Sequence, residues 1–209
     1  MSCRTINSRQ AFTEKMTMQT TRGLLTKALH LILLVAVLHQ LVSSRLMIPP
    51  GRTTKENLAY ETHEYVGLAS LAVVIAFWMW SLVRTREVGF SDLFPWFSPS
   101  RTASVWKDLL AHVKAISRRT LPNERGRPFP TAVHGLGLSA VTVMAATGSF
   151  TLVSLAPASA REASLGMHEL VSNLVWIYLI GHAGLALVHE ALGHRLLRDM
   201  FSPKAASNG

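Results

Sequence analysis

A chain of 209 residues is long enough for one domain or two, but its apolar residues, 49% of the total, do not spread as they would in a soluble core. Cys3 is the single cysteine, which excludes a disulfide framework, a thiolate zinc site or an iron–sulfur cluster built from this chain alone. The net charge of +9 invites a nucleic-acid partner, yet the basic residues are distributed by topology, as shown below, and no nucleic acid is expected.

Four blocks free of formal charge, at about 28–44, 65–83, 128–160 and 170–189, are each able to supply the roughly 20 apolar residues of a membrane-spanning helix. Residues 1–21 form a polar leader, expected to be disordered, in which Met16 and Met18 are alternative starts. The first span covers about 22–47. Its basic start and "ALHLILLVAVLHQLVSS" also have the layout of a secretory signal with Val42 and Ser44 as small cleavage-site residues. "PPGRTTKEN" then turns the chain. The second span, about 57–84, ends in "WMWSLVRTR", whose tryptophans and arginines mark a membrane interface.

The long connection that follows contains the turn-rich "FSDLFPWFSPS" and then "VWKDLLAHVKAISRR". The latter places Val105, Leu109, Leu110, Val113 and Ile116 on one stripe with Lys107, Lys114 and Arg118 elsewhere, which predicts an interfacial amphipathic helix on the membrane surface or against a partner. The third span runs about 130–155, with Pro157 and the small residues after it expected in a loop. The fourth runs about 167–192, and 201–209 are a tail. Seventeen of the 21 Lys and Arg residues fall before residue 28, within 84–127 or after residue 189, flanking the charge-free blocks on one side, which predicts cytoplasmic N and C termini. The expected fold is all-α, a four-helix transmembrane bundle over 22–200.

Histidines are the unexpected component, because an ionisable side chain at bilayer depth is costly and marks function. His168 and His182 are fourteen residues apart, close to four whole turns, so they share a face at a separation of about 21 Å. His63, near the outer end of span two, matches the depth of His168. His30, near the inner end of span one, matches His182. Paired imidazoles from facing helices are what a low-spin b haem requires, and the absence of C-x-x-C-H excludes a covalently attached c-type one. Gly67, Gly181 and Gly184 would let a porphyrin approach the backbone. Glu64 and Glu169 are candidates for hydrogen-bonding or proton-handling groups beside the ligands.

Among the remaining histidines, His39 is assigned to packing or a quinone site, and His134 either to a proton or quinone site or to an interfacial position. His112, His189 and His194 read as surface or interface residues, with His189 also a substitute ligand on the His182 face. "HEALGH" is similar to the zinc-protease pattern H-E-x-x-H, but its spacing is one residue longer and sets His189 and His194 about 140° apart on a helix. No protease or hydrolase is expected. A metal transporter is disfavoured because the spans contain almost no carboxylates to assist coordination.

The segments "HELVSNLVWIYLIGHAGLALVHEALGH", "HEYVGLASLAVV" and "KALHLILLVAV" resemble the prokaryotic di-haem cytochrome b561 group, which includes the cytochrome b subunits of nickel–iron hydrogenases, formate dehydrogenase and thiosulfate reductase. The likeness spans residues 22–200. It implies two haem b groups with axial ligands His63/His168 and His30/His182, and electron exchange between membrane quinone and a periplasmic redox subunit, in the bacterial inner membrane. Leu31 departs from the aromatic residue that often follows the first histidine. "FSDLFP" and its helix resemble the hydrogenase-type subunits more than stand-alone quinol oxidases linked to oxygen or superoxide. That stand-alone activity is the alternative, with a non-redox membrane protein third.

Overall fold

The computed structural model describes residues 23–51, 53–84, 88–118 and 127–202. The leader with Cys3, residues 203–209 of the tail and the Ile116 side chain lie outside them. Helices α1 (Leu24–Leu46) and α2 (Leu58–Val83) form a hairpin; α3 (Phe90–Leu93), a 3₁₀ turn at Pro95–Phe97 and α4 (Pro99–Ser117) make the connection; α5 (Pro128–Thr151) and α6 (Ala158–Ala191) form a second hairpin, closed by α7 (Leu196–Phe201). No strand occurs among the described residues. Helices α1, α2, α5 and α6 are all long and apolar enough to cross a membrane. Their outward faces carry large exposed apolar side chains such as Val35, Ile75, Ile177 and Ile180. Lipid solvates such a surface, and the polar side chains turn inward.

Each hairpin is held by local chemistry. Asn57 caps α2 by accepting the Tyr60 amide at 3.0 Å, accepts the Ile48 amide at 2.9 Å and donates to the Leu46 carbonyl at 2.8 Å. One side chain thus serves the end of one helix and the start of the next. Val42–Ser44, where a secretory signal would be cut, lie inside α1, with Ser43 buried. In the second hairpin, α6 starts at Ala158, nine residues before the expected start. Only 152–157 form the loop; "ASAREAS" after Pro157 is rich in alanine, the best helix former, and lacks a breaker. Hydropathy marks where a helix enters lipid, not where it begins.

The pairs α1–α2, α5–α6 and α2–α5 pack closely, whereas α6 has few close backbone approaches to α1 and α2. Leu41, Val171 and Val175 bridge that gap at mid-height, joined by Val37, Met144 and Leu179. The tryptophans read as interface markers spend their indole N–H groups inside the bundle: Trp80 donates to Thr26 Oγ1 at 2.7 Å and Trp78 to Thr142 Oγ1 at 2.9 Å. Trp78 stacks on Phe94 at 5.1 Å, which draws the connection onto α2. The Leu93 carbonyl presses so closely on Gly135 that a Cβ there would lie 2.0 Å from its oxygen.

The predicted stripe of α4 splits. Val105 and Leu109 turn toward the protein together with Asp108 and His112, while Leu110 and Val113 are more than half exposed beside Trp106. His112 is therefore a buried residue, not a surface one, at 3% exposure. The reason is Asp108, which accepts from the Arg127 guanidinium (Nε at 2.8 Å) and from the Phe129 amide at 3.1 Å. It thereby fastens α4 to the start of α5. Burial alone would raise the Asp108 carboxyl, but the Arg127 and Phe129 hydrogen bonds hold it below the usual carboxylate range.

Candidate haem-binding sites

Two histidine pairs face each other across the gap in front of α6. The ring centres of His63 and His168 are 6.3 Å apart at an interplanar angle of 82°, and those of His30 and His182 are 6.4 Å apart at 55°. Two imidazoles on opposite sides of one metal ion, each at about 2.0–2.1 Å, have ring centres about 6–6.5 Å apart. Both pairs fit that requirement, and they come from α2 with α6 and from α1 with α6. The fourteen-residue step along α6 sets their spacing, with the Leu41–Val171–Val175 layer between them.

At the His63–His168 pair, hydrogen bonds fix the tautomers. The His168 Nδ1 lies 3.0 Å from the Met144 carbonyl, which only accepts, so Nδ1 carries the proton and Nε2 the lone pair. The His63 Nδ1 lies 2.9 Å from Ser43 Oγ, whose own proton goes to the Gln40 carbonyl at 3.2 Å. Nδ1 therefore donates here too. Gln40 Nε2 in turn donates to the His63 carbonyl at 2.8 Å. An imidazole with its Nδ1–H engaged and its Nε2 lone pair available is the form that ligates a metal. The partners are Ser43 and Met144, and neither Glu64 nor Glu169. Glu64 pairs with the Tyr60 hydroxyl, and Glu169 is exposed. Gly148 gives His168 its place, since a Cβ there would meet its Cε1 at 2.8 Å. Gly67 makes room for Gln40, while a Cβ at Gly181 or Gly184 would meet no protein atom within 4 Å. His39 is half-buried, with its Nδ1 lacking a partner among the described residues, and is near enough to His63 to act on it electrostatically.

The His30–His182 pair borders an open cavity with ≈ 1070 Å³ of space between protein atoms, continuous with the outside. Its walls are apolar (Leu33, Leu34, Phe77, Leu138) apart from the histidines, Tyr178, two threonines and Arg84. Tyr178, one turn before His182, stacks on it at 5.3 Å with an interplanar angle of 8°. His134 stands edge-on to His182 at 5.1 Å. Its Nδ1–H is committed to the Pro130 carbonyl at 2.6 Å.

His189 and His194, expected apart and near the surface, are in contact. His189 is fully buried, and the two Nδ1 atoms lie 2.7 Å apart. Helix α6 stops between them: His194 N–H returns to the His189 carbonyl and Gly193 N–H to that of Glu190, with Gly193 at φ +85°. This is the Schellman ending, which brings the third-last helical residue against the second residue past the cap. Glycine at 193 carries that signal in the sequence, and an uninterrupted helix was the wrong frame for the pair. Glu190 is occupied by Arg198 and the Leu197 amide. Among the described residues no three ligand-type side chains gather to hold a metal ion.

The chain matches the prokaryotic cytochrome b561 family over residues 21–203, nearly its whole length. It belongs to that family. This cytochrome b561 is a multi-pass membrane protein of the b-type, electron-transferring class. No curated protein and no solved structure matches it.

Proposed function

We propose that this cytochrome b561 holds two b haems stacked across the bacterial inner membrane and passes electrons between membrane quinone and a periplasmic redox subunit. His63 and His168 ligate the outer haem; His30 and His182 ligate the inner. One observation carries the reading: two facing imidazole pairs, 6.3 and 6.4 Å between ring centres, on a helix-to-helix gap that apolar side chains close only at mid-height.

Bis-imidazole haem supplies one-electron transfer and leaves no iron position open to oxygen. The chain's own residues orient the site. Ser43 and the Met144 carbonyl hold the outer imidazoles by their Nδ1–H groups, which fixes ring direction and raises Nε2 basicity. His134, beside His182 in the open cavity, is suited to exchange a proton with a quinone there. The basic residues of α4 and of both chain ends favour the cytoplasm for the end of the bundle nearest His30 and His182. The likeness of the "FSDLFP" connection to hydrogenase-type subunits is what favours a partner-bound subunit over a stand-alone quinol oxidase.

The test is a dithionite-reduced minus oxidised spectrum of the purified, detergent-solubilised protein with haem quantified per chain. Sharp b-type bands at about two haems per chain are expected. One haem would mean that one pair is misassigned, and a folded protein without haem would end the reading.

A further inference from the structure

The end of the bundle nearest His63 and His168 holds two buried polar atoms that helix packing leaves unpaired. Arg161 is half-buried, and its Nε is buried with no hydrogen-bond partner among the described residues. Ser149 Oγ is in the same condition. Arg45 and Lys55, the other described basic residues at this end, are exposed, so Arg161 is the one of the three that the bundle partly encloses. The early start of α6 puts Arg161 in helix, seven residues before His168. That interval sets it about 20° round the axis from His168 and about 10.5 Å further out. Register across the hairpin fixes what it stands beside. Ser164 Oγ donates to the Thr147 carbonyl at 3.0 Å and His168 Nδ1 to that of Met144 at 3.0 Å. Arg161, one turn beyond Ser164, is therefore level with the last turn of α5, where Ser149 lies. Gly148, the residue before Ser149, abuts the His168 ring. A buried donor without an acceptor is costly, and one acid group relieves that cost at a guanidinium and a hydroxyl together.

We infer that Arg161, with Ser149 level with it on α5, anchors the propionate edge of the outer haem. The inference rests on the di-haem reading above. A planar, five-donor guanidinium pairs with carboxylates through two parallel hydrogen bonds, which lysine does not reproduce. The pairing turns the acidic edge of the porphyrin toward the loop at 152–157, and its apolar edge toward the Leu41–Val171–Val175 layer. It also places a positive charge beside one haem of the two, which favours the reduced iron there. The helical residues that hydropathy did not foresee are the ones that hold Arg161 in line with His168.

The experiment compares detergent-solubilised wild type, Arg161→Gln, Arg161→Lys and Ser149→Ala, with Arg45→Gln, an exposed arginine at the same end, as control. Haem per chain, redox titration and the propionate bending bands in resonance Raman are read for each. In Arg161→Gln one midpoint moves to a more negative potential, or one haem is lost, while the other keeps its midpoint. The shift persists in a His182→Ala background, which retains the outer haem, and is absent in a His168→Ala background. Arg161→Lys keeps both haems and most of the potential, yet the propionate band of one haem still moves. Ser149→Ala moves the same band by less. The control changes none of these. Both midpoints and all bands unchanged in Arg161→Gln would overturn the anchor and leave the di-haem reading intact, and so would a change confined to the inner haem. A shift that appears only once phospholipid is added back would assign the arginine to a lipid phosphate and overturn the anchor too. Should Arg161→Gln fail to assemble, an unchanged propionate band in Arg161→Lys overturns it. A wild-type protein without haem would end both.

Discussion

The two histidine pairs have nearly equal ring separations in opposite surroundings. His63 and His168 sit in a polar clasp of Ser43, Gln40, Thr147 and the Met144 carbonyl. His30 and His182 border an open apolar cavity, flanked by Tyr178 and His134 and capped by the connection between α2 and α5. Backbone geometry is common to both, because one face of α6 supplies both rings. Environment is not. A scaffold can therefore repeat one imidazole pair at two levels while side chains clasp the first and leave the second beside an open cavity.

The largest break in that comparison comes from the ligands themselves. His182→Ala is expected to remove about half of the haem absorbance, leaving the outer haem, and His168→Ala to remove the other half. Loss of neither haem in His182→Ala would refute the assignment. Next in size is Asp108, which fastens α4 to the start of α5. Breaking a buried ion pair costs about 3–5 kcal/mol. Asp108→Ala should detach α4 from α5, seen as faster proteolysis of the connection, with the His63–His168 haem spectrally unchanged. Because the folded Asp108 carboxyl is held below its ordinary value of 3.8, its stabilisation is complete above that pH and is lost as the pH falls through the lower, folded value. Acid should loosen α4 in wild type and add nothing further in Asp108→Asn.

The glycines separate the sites more finely. Gly135→Ala forces a Cβ against the Leu93 carbonyl and Gly148→Ala forces one against the His168 ring. Overpacking of this kind costs about 1–3 kcal/mol. The first should lower thermal stability and perturb only the inner haem spectrum, and the second only the outer. Uniform changes in both would contradict independent sites. The smallest effect is Ser43→Ala, which removes the acceptor of the His63 Nδ1–H at about 1 kcal/mol. It should alter the electron-paramagnetic-resonance anisotropy of the outer oxidised haem while both haems stay bound.

Much of this was legible because lipid imposes strong rules. Charge-free blocks located four helices, and the fourteen-residue interval plus depth brought the same four histidines into two pairs that the structure sets face to face. What escaped depended on contacts that periodicity does not encode. The α4 stripe assumed that apolar residues face the protein, but Asp108 turns the helix through its bond to Arg127, nineteen residues away. Trp78 and Trp80 looked like interface anchors because their hydroxyl partners, Thr142 and Thr26, lie on other helices. His189 and His194 were separated on paper by extending a helix through Gly193.

The layer of Leu41, Val171 and Val175 between the pairs has an electrical consequence. With a haem at each end, an electron moving past it travels about 21 Å along α6. That is about two-thirds of a hydrocarbon core of ~30 Å. A full crossing is worth about 2.3 kcal/mol per 100 mV, so this hop is worth about 1.6 kcal/mol per 100 mV. The distribution of an electron between the two haems is then set by the charge on the membrane as well as by their chemistry. If the two haems bind and the His63–His168 end faces outside, as proposed, an energised membrane, positive outside, would draw the electron toward that end, and a discharged one would release the pull.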